Sequence, residues 1–185
     1  MGLYRARDLL LAPNLISLTR IPLAAAFPLA VEDPTLAFSV LALSAASDVI
    51  DGWVARRRGL ATATGAVLDP VTDKLFVLTV MVTLIVTGRL PLWSVALLAT
   101  REIGEAPLVL WWSFSRHRRR ARTEEPRANV PGKLATALQF VTVTLALFRS
   151  PWTMPALFAS GGAGAIAAVV YWIRDLRAAG GSRSQ

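Results

Sequence analysis

The sequence predicts an all-α integral membrane protein with six transmembrane helices and a short interfacial amphipathic helix at the N-terminus. Three observations carry this. Of 185 residues, 54% are hydrophobic and only 17% charged, with a mean hydropathy of +0.50; a soluble domain usually carries about 25% charged residues. The apolar residues fall in long blocks, several reaching the roughly 18–20 residues that cross a bilayer. Arginines are dense in alternate connections between the blocks, the pattern left by the positive-inside rule.

Taken in order, Leu3 to Leu10 mixes apolar residues with Arg5, Arg7 and Asp8, which suits a short helix lying along the interface. The same charges interrupt any apolar run, so no cleavable signal peptide is expected there. Six spans follow, at 13–31, 35–57, 66–87, 91–113, 131–149 and 152–173. Asp33-Pro34, Gly88 to Pro91 and Ser150-Pro151 punctuate the short connections. The run Gly161-Gly162-Ala163-Gly164-Ala165 lies inside the last span and reads as a surface for close helix packing rather than a phosphate loop. Trp93, Trp111, Trp112, Trp152 and Trp172 sit near span ends, as interfacial anchors do. Neither a second domain nor a repeat is visible, so residues 1–185 read as a single membrane domain.

The basic residues orient the chain. Arg5 and Arg7, then Arg56 to Arg58, then Arg116 to Arg127, then Arg174, Arg177 and Arg183 mark one side; the other connections hold Arg89 and Arg149. Both termini on the cytoplasmic side of a cell inner membrane fit this asymmetry. It also accounts for the net charge of +8 and the pI of 11.3 without a nucleic-acid partner. The absence of cysteine excludes disulfides and thiolate metal sites. His117, the single histidine, lies in an arginine run and reads as solvated loop.

An ionisable group inside a bilayer is costly, so each intramembrane carboxylate is a functional candidate. Spans two and three hold four of them: Asp48, Asp51, Asp69 and Asp73. At about 100° per residue, Asp48, Asp51, Gly52 and Ala55 share one helix face. Gly65, Asp69 and Asp73 step by four and form a second stripe. Facing helices would gather four negative charges, which repel strongly in a low dielectric unless cations neutralise them. Oxygen donors without cysteine or nearby histidine favour hard ions such as Mg²⁺ or Mn²⁺. Gly52, Ala55 and Gly65 remove bulk beside the carboxylates, as helix packing or a bound substrate would require. Arg56 lies about 12 Å along the helix from Asp48, placed for a phosphate at the cytoplasmic edge or as an orientation marker. Asp69-Pro70 also fits a helix start, with aspartate as cap.

As a string, the segment is Asp48-x2-Asp51-Gly52-x2-Ala55-Arg56-x8-Gly65-x3-Asp69-x3-Asp73. It resembles the signature of the CDP-alcohol phosphotransferase family at every fixed position and spacing. That resemblance implies a compact six-helix membrane enzyme, typically a homodimer, releasing CMP from a CDP-linked lipid, most often CDP-diacylglycerol. It implies two Mg²⁺ or Mn²⁺ ions on Asp48, Asp51, Asp69 and Asp73, with Asp73 also the general base. It assigns Gly52, Ala55, Arg56 and Gly65 to the CDP-lipid. Asp69-Pro70-x2-Asp73-Lys74, Pro13-Asn14-x2-Ser17-x2-Arg20, Arg101-Glu102 and Gly132-Lys133 resemble the phosphatidylglycerophosphate synthase branch, with cardiolipin synthases of the same fold close behind. Arg20, Arg101 and Lys133 are then the basic groups for an acceptor phosphate; snorkelling, or pairing with Glu102 or Glu105, is their alternative. Ala135 departs from that branch, which often carries a further lysine there.

The resemblance leads to phosphatidyl transfer from CDP-diacylglycerol to sn-glycerol 3-phosphate. Phosphatidylglycerol as acceptor, giving cardiolipin, is the alternative within the same chemistry. A divalent-cation transporter is the reading from another class, since such carriers also line their paths with carboxylates. It leaves Gly52, Ala55, Arg56 and Gly65 without a reason for their spacing.

Overall fold

The computed structural model describes residues 11–58, 62, 64–114 and 130–181. The expected interfacial helix over 3–10 and the arginine run at 116–127 lie outside these residues. Among the described residues all regular structure is helical: α1 (Ala12–Leu18), α2 (Arg20–Ala30), α3 (Pro34–Arg58), α4 (Gly65–Val86), α5 (Ser94–Leu98), α6 (Thr100–Phe114), α7 (Val130–Leu147) and α8 (Thr153–Gly181). They form two compact units, Met1–Leu90 with α1–α4 and Pro91–Gln185 with α5–α8.

Each apolar block is helical, but the first and fourth are each broken in two. Between α1 and α2, the Thr19 N–H bonds to Ile16 O at 3.1 Å, one residue short of the α-helical partner, and the Thr19 hydroxyl donates to the same carbonyl. Pro22 follows, with no N–H to return to Leu18. Between α5 and α6, side chains take the carbonyls instead. The Thr100 hydroxyl contacts Ala96 O and Leu97 O, and Gln139 Nε2 of α7 donates to Leu98 O. Side-chain donors competing for helix carbonyls bend or end helices in this way.

The turns are built from local chemistry that the sequence shows. Asp33 caps α3: its Oδ1 accepts from Thr35 N and Leu36 N at 2.9 and 3.1 Å, and Pro34 takes the first position. Helix α4 closes with a Schellman motif, Arg89 N to Leu84 O and Gly88 N to Ile85 O, with Gly88 at φ +65°. Helix α7 closes the same way through Ser150 N to Leu145 O and Arg149 N to Ala146 O. There the left-handed residue is Arg149 at φ +50°, a conformation that disfavours a side chain.

The outer surfaces are apolar, unlike those of a soluble protein. On α4, Val71, Leu75, Leu78, Val82 and Val86 are exposed along one stripe. The opposite stripe buries Thr72, Phe76, Val80, Thr83 and Leu84. On α8, Phe158, Ile166, Val169 and Ile173 face outward while Ser160, Ala167 and Ala168 are buried. Continuous apolar surface of this kind calls for lipid rather than water. Hydroxyls such as those of Thr79, Thr83, Thr142 and Thr144 bond back to the carbonyl four residues earlier, so they need no outside partner. Among the described residues, two helices are long and apolar enough to cross a membrane by length and composition, over Pro34–Val54 and Thr153–Arg174. Helix α4 has the length, at 22 residues, but carries Asp69, Asp73 and Lys74.

Lipid is as apolar as leucine, so packing and polar contacts, more than apolar burial, hold such helices together. In the first unit, Phe27 of α2 meets Phe76 of α4 edge to face, 6.2 Å between ring centroids. Arg89 adds a polar tie: its Nη2 donates to Val31 O at 2.6 Å. In the second unit small residues bring α8 against α5 and α6. A Cβ on Gly104 would lie 2.5 Å from Ala168 Cβ, one on Gly161 2.9 Å from Leu97 Cδ2, and one on Gly164 3.2 Å from the Arg101 nitrogen. The glycine run of α8 thus serves helix packing at Gly161 and Gly164, whereas a Cβ on Gly162 would meet no described residue within 4 Å. Relieving the left-handed side chain at α7 with Arg149→Gly is expected to raise stability by about 1 kcal/mol. Gly88→Ala should lower it by a similar amount, both read from unfolding in detergent.

Candidate functional site

The four signature carboxylates lie on α3 and α4, and the N-terminal helices reach in between them. Asp48 and Asp51 sit one turn apart on α3, with Asp51 buried and Asp48 exposed. Asp69 and Asp73 are one turn apart on α4; Asp69 is half-buried and Asp73 exposed. Helix α4 starts at Gly65, so Asp69 and Pro70 are inside it and the reading of Asp69 as a helix cap does not hold.

Arg20 opens α2 and is completely buried. Its Nη2 donates to Asp48 Oδ1 and Asp51 Oδ2, both at 2.8 Å. The two pairs differ in weight. The Asp51 side chain is 5% exposed and that of Asp48 62%, so water screens the Asp48 pair. Removing one partner of a buried pair costs about 3–5 kcal/mol because the other charge is stranded; that figure applies to Arg20 with Asp51. The Arg20 Nε and Nη1 atoms are buried without a hydrogen-bond partner among the described residues.

Ser17, on the last turn of α1, joins the two halves of the signature. Its Oγ lies 2.9 Å from Asp51 Oδ2, within hydrogen-bond distance of Asp69 Oδ1, and 3.1 Å from Pro13 O. A hydroxyl has one proton for these three acceptors. The resulting chain runs Asp48–Arg20–Asp51–Ser17–Asp69. Asp73 lies within electrostatic range of Asp48 and Arg20.

Among the described residues no three His, Cys, Asp or Glu side chains converge tightly enough to hold an ion unaided. Ser17 and Arg20 are interleaved with the carboxylates instead. The donor set still fits a hard divalent cation: carboxylate and hydroxyl oxygens, with fewer protons than acceptors between them.

The remaining sequence-derived residues fall as follows. Gly52 is half-buried on α3, next to Asp51; the side chains of Ala55 and Arg56 lie outside the described residues. Gly65 faces Asn14: a Cβ there would stand 2.5 Å from Asn14 Oδ1. The glycine thus admits the buried Asn14 amide. In the second unit, Arg101 Nη1 donates to Thr136 Oγ1 at 2.8 Å and to Gly132 O at 3.4 Å, while its Nη2 bonds to Glu102 Oε1 at 2.8 Å. Glu105 Oε1 is 3.9 Å from Arg101 Nε. Arg101 is therefore tied to the first turn of α7, where Lys133 is exposed. Arg20, expected at an acceptor phosphate, is bonded to carboxylates here. Asn14 and Ser17 stand with Arg20 in the motif Pro13-Asn14-x2-Ser17-x2-Arg20, but the sequence assigns neither a role at the site. Their three-residue step forms a polar stripe that the structure turns toward α3 and α4.

The model of the CDP-alcohol phosphatidyltransferase family matches residues 10–174, across both units. The chain belongs to this family. Membership places it among membrane-embedded phosphatidyltransferases. It is 35% identical over 139 residues to the cardiolipin synthase (CMP-forming) of Streptomyces coelicolor, covering 74% of this chain and 57% of that protein. It is 34% identical over 114 residues to a protein of Mycobacterium tuberculosis named "Probable phosphatidylglycerophosphate synthase", covering 57% and 54%. It is 40% identical over 107 residues to the CDP-diacylglycerol–glycerol-3-phosphate 3-phosphatidyltransferase of Pseudomonas fluorescens, covering 54% of each. The chain thus spans somewhat over half the length of these relatives.

The Gly65 contact gives a direct check. Gly65→Ala should destabilise the fold by about 1–3 kcal/mol, the cost of overpacking. Most of that cost should vanish in an Asn14→Ala background, read as the coupling energy of a double-mutant cycle.

Proposed function

We propose that the protein transfers the phosphatidyl group of CDP-diacylglycerol to the hydroxyl of sn-glycerol 3-phosphate, forming phosphatidylglycerophosphate and releasing CMP. One observation carries the reading: carboxylates from α3 and α4 meet through Arg20 and Ser17 inside an apolar helical unit. Charges so placed are expensive and need a use. Family membership supplies the class of reaction, and the likeness to the Pseudomonas fluorescens protein supports glycerol 3-phosphate as acceptor.

Asp48, Asp51, Asp69 and Asp73 would hold two Mg²⁺ or Mn²⁺ ions, which supply charge neutralisation for the diphosphate and its leaving group. Asp73, exposed on α4, takes the proton of the acceptor hydroxyl. The freed oxygen forms a bond to the phosphorus of the phosphatidyl group. The bond from that phosphorus to the bridging oxygen breaks, and CMP leaves with the electron pair. By the family resemblance, Gly52 and Ala55 would leave room for the nucleotide and Arg56 would meet its phosphate, whereas Gly65 makes room for Asn14. In the second unit, Lys133 stands in the first turn of α7 and Arg101 is bonded to that turn. Two cations at a helix N-terminus suit the phosphate of the acceptor. The arginine asymmetry supports termini and active site on the cytoplasmic side of an inner membrane.

A second reading keeps the chemistry and uses phosphatidylglycerol as acceptor, giving cardiolipin. It is favoured by the likeness to the Streptomyces coelicolor protein. It is favoured too by Ala135, fully buried where the glycerophosphate branch often carries a lysine.

Purified protein given labelled CDP-diacylglycerol and each acceptor in turn should release CMP with glycerol 3-phosphate. Release with phosphatidylglycerol alone would transfer the assignment to cardiolipin. Asp73→Asn should cut CMP release by about 10²–10⁴-fold, the contribution of a general base. Divalent-ion flux into vesicles that survives this substitution, with no CMP release by the unaltered chain, would favour a transporter.

A further inference from the structure

Two side chains outside the carboxylate signature hold it together. Ser17 is completely buried, and its Oγ contacts one oxygen of Asp51 on α3 and one of Asp69 on α4. Arg20 is completely buried, and its Nη2 contacts one oxygen of Asp48 and one of Asp51. In each case one oxygen of the carboxylate is engaged: Oδ1 of Asp48, Oδ2 of Asp51, Oδ1 of Asp69. A hydrogen bond to one oxygen restrains the rotation of the carboxylate and leaves its other oxygen for a cation. Groups placed behind metal ligands generally act this way.

The remaining Arg20 atoms give independent support. Nε and Nη1 are buried and have no hydrogen-bond partner among the described residues. Among the described residues the guanidinium is therefore held by Asp48 and Asp51 alone. An arginine retained in an apolar interior on those terms serves the carboxylates.

We propose that Ser17 and Arg20 are positioning residues of the divalent-cation site. Ser17 couples Asp51 to Asp69 across α3 and α4, and Arg20 couples Asp48 to Asp51 along α3, so the ligands are set before an ion arrives. The proposal rests on the reading of these carboxylates as ion ligands. It takes Arg20 away from the acceptor phosphate.

The test is Mn²⁺ titration of the purified full chain in detergent, with free ion read by electron paramagnetic resonance and helix content by circular dichroism. The unaltered chain should bind Mn²⁺. Ser17→Ala should weaken binding about 10- to 100-fold, and Ser17→Thr, which keeps the hydroxyl, should restore it. Arg20→Lys keeps the charge and loses the guanidinium geometry, so it too should weaken Mn²⁺ binding while leaving the acceptor KM unchanged. Where Ser17→Ala does not fold, Ser17→Cys, with a weaker donor of similar size, takes its place with the same expectation. An unaltered chain that binds no Mn²⁺ overturns the ion reading and this proposal with it. Unchanged Mn²⁺ affinity in folded Ser17 and Arg20 variants overturns the proposal alone. A raised acceptor KM in Arg20→Lys with unchanged Mn²⁺ binding returns Arg20 to the acceptor and also overturns it.

Discussion

Negative charge inside an apolar helical unit has to be compensated, and in this protein the compensation comes from the N-terminal helices. Helices α3 and α4 each carry two aspartates one turn apart. Left to face one another they would repel. Arg20 and Ser17 enter between them: the guanidinium offsets the charge of Asp48 and Asp51, and the Ser17 hydroxyl, with one proton to give, stands between Asp51 and Asp69. The positions of α1 and α2 follow from this: their polar stripe of Asn14, Ser17 and Arg20 must face α3 and α4. Gly65 follows as well, since a side chain there would strike Asn14.

The second constraint is the solvent. Lipid offers no hydrogen bonds, so polar groups must be satisfied within the protein. Serine and threonine hydroxyls bond to their own helices, Arg89 bonds to the end of the first helical block, and Gln139 bonds to a carbonyl at the α5–α6 break. The apolar residues left over point outward along α4 and α8. Without an apolar driving force between helices, close approach matters more. Gly104, Gly161 and Gly164 provide it in the second unit.

These constraints divide the chemistry. The first unit gathers carboxylate and hydroxyl oxygens around Arg20. The second unit presents Arg101 and Lys133 around the start of α7, with Glu102 and Glu105 beside Arg101. The relatives carry different names, for cardiolipin synthesis, phosphatidylglycerophosphate synthesis and phosphatidyl transfer to glycerol 3-phosphate, while sharing the family.

Much of this was legible in the sequence, for identifiable reasons. The helical blocks showed because apolar runs of span length have few other outcomes. Asp33-Pro34, Gly88 and Ser150-Pro151 marked turns because caps and left-handed residues are local requirements. The four aspartates stood out because charge is rare in such runs, and their helical spacing placed each pair on one face. Other features depended on contacts between helices, which no local pattern encodes. The break at Ala99 needs Gln139 from another helix, in addition to Thr100. The reason for Gly65 needs Asn14, and the role of Ser17 needs both Asp51 and Asp69. Arg20 has the same chemistry whether it meets a phosphate or a carboxylate, so only its neighbours could decide between them. The sequence by itself determined an all-helical membrane chain with a carboxylate site on two of its helices. The tertiary structure decided which side chains from α1 and α2 hold that site together, because burial and pairing are properties of packed helices rather than of any one segment.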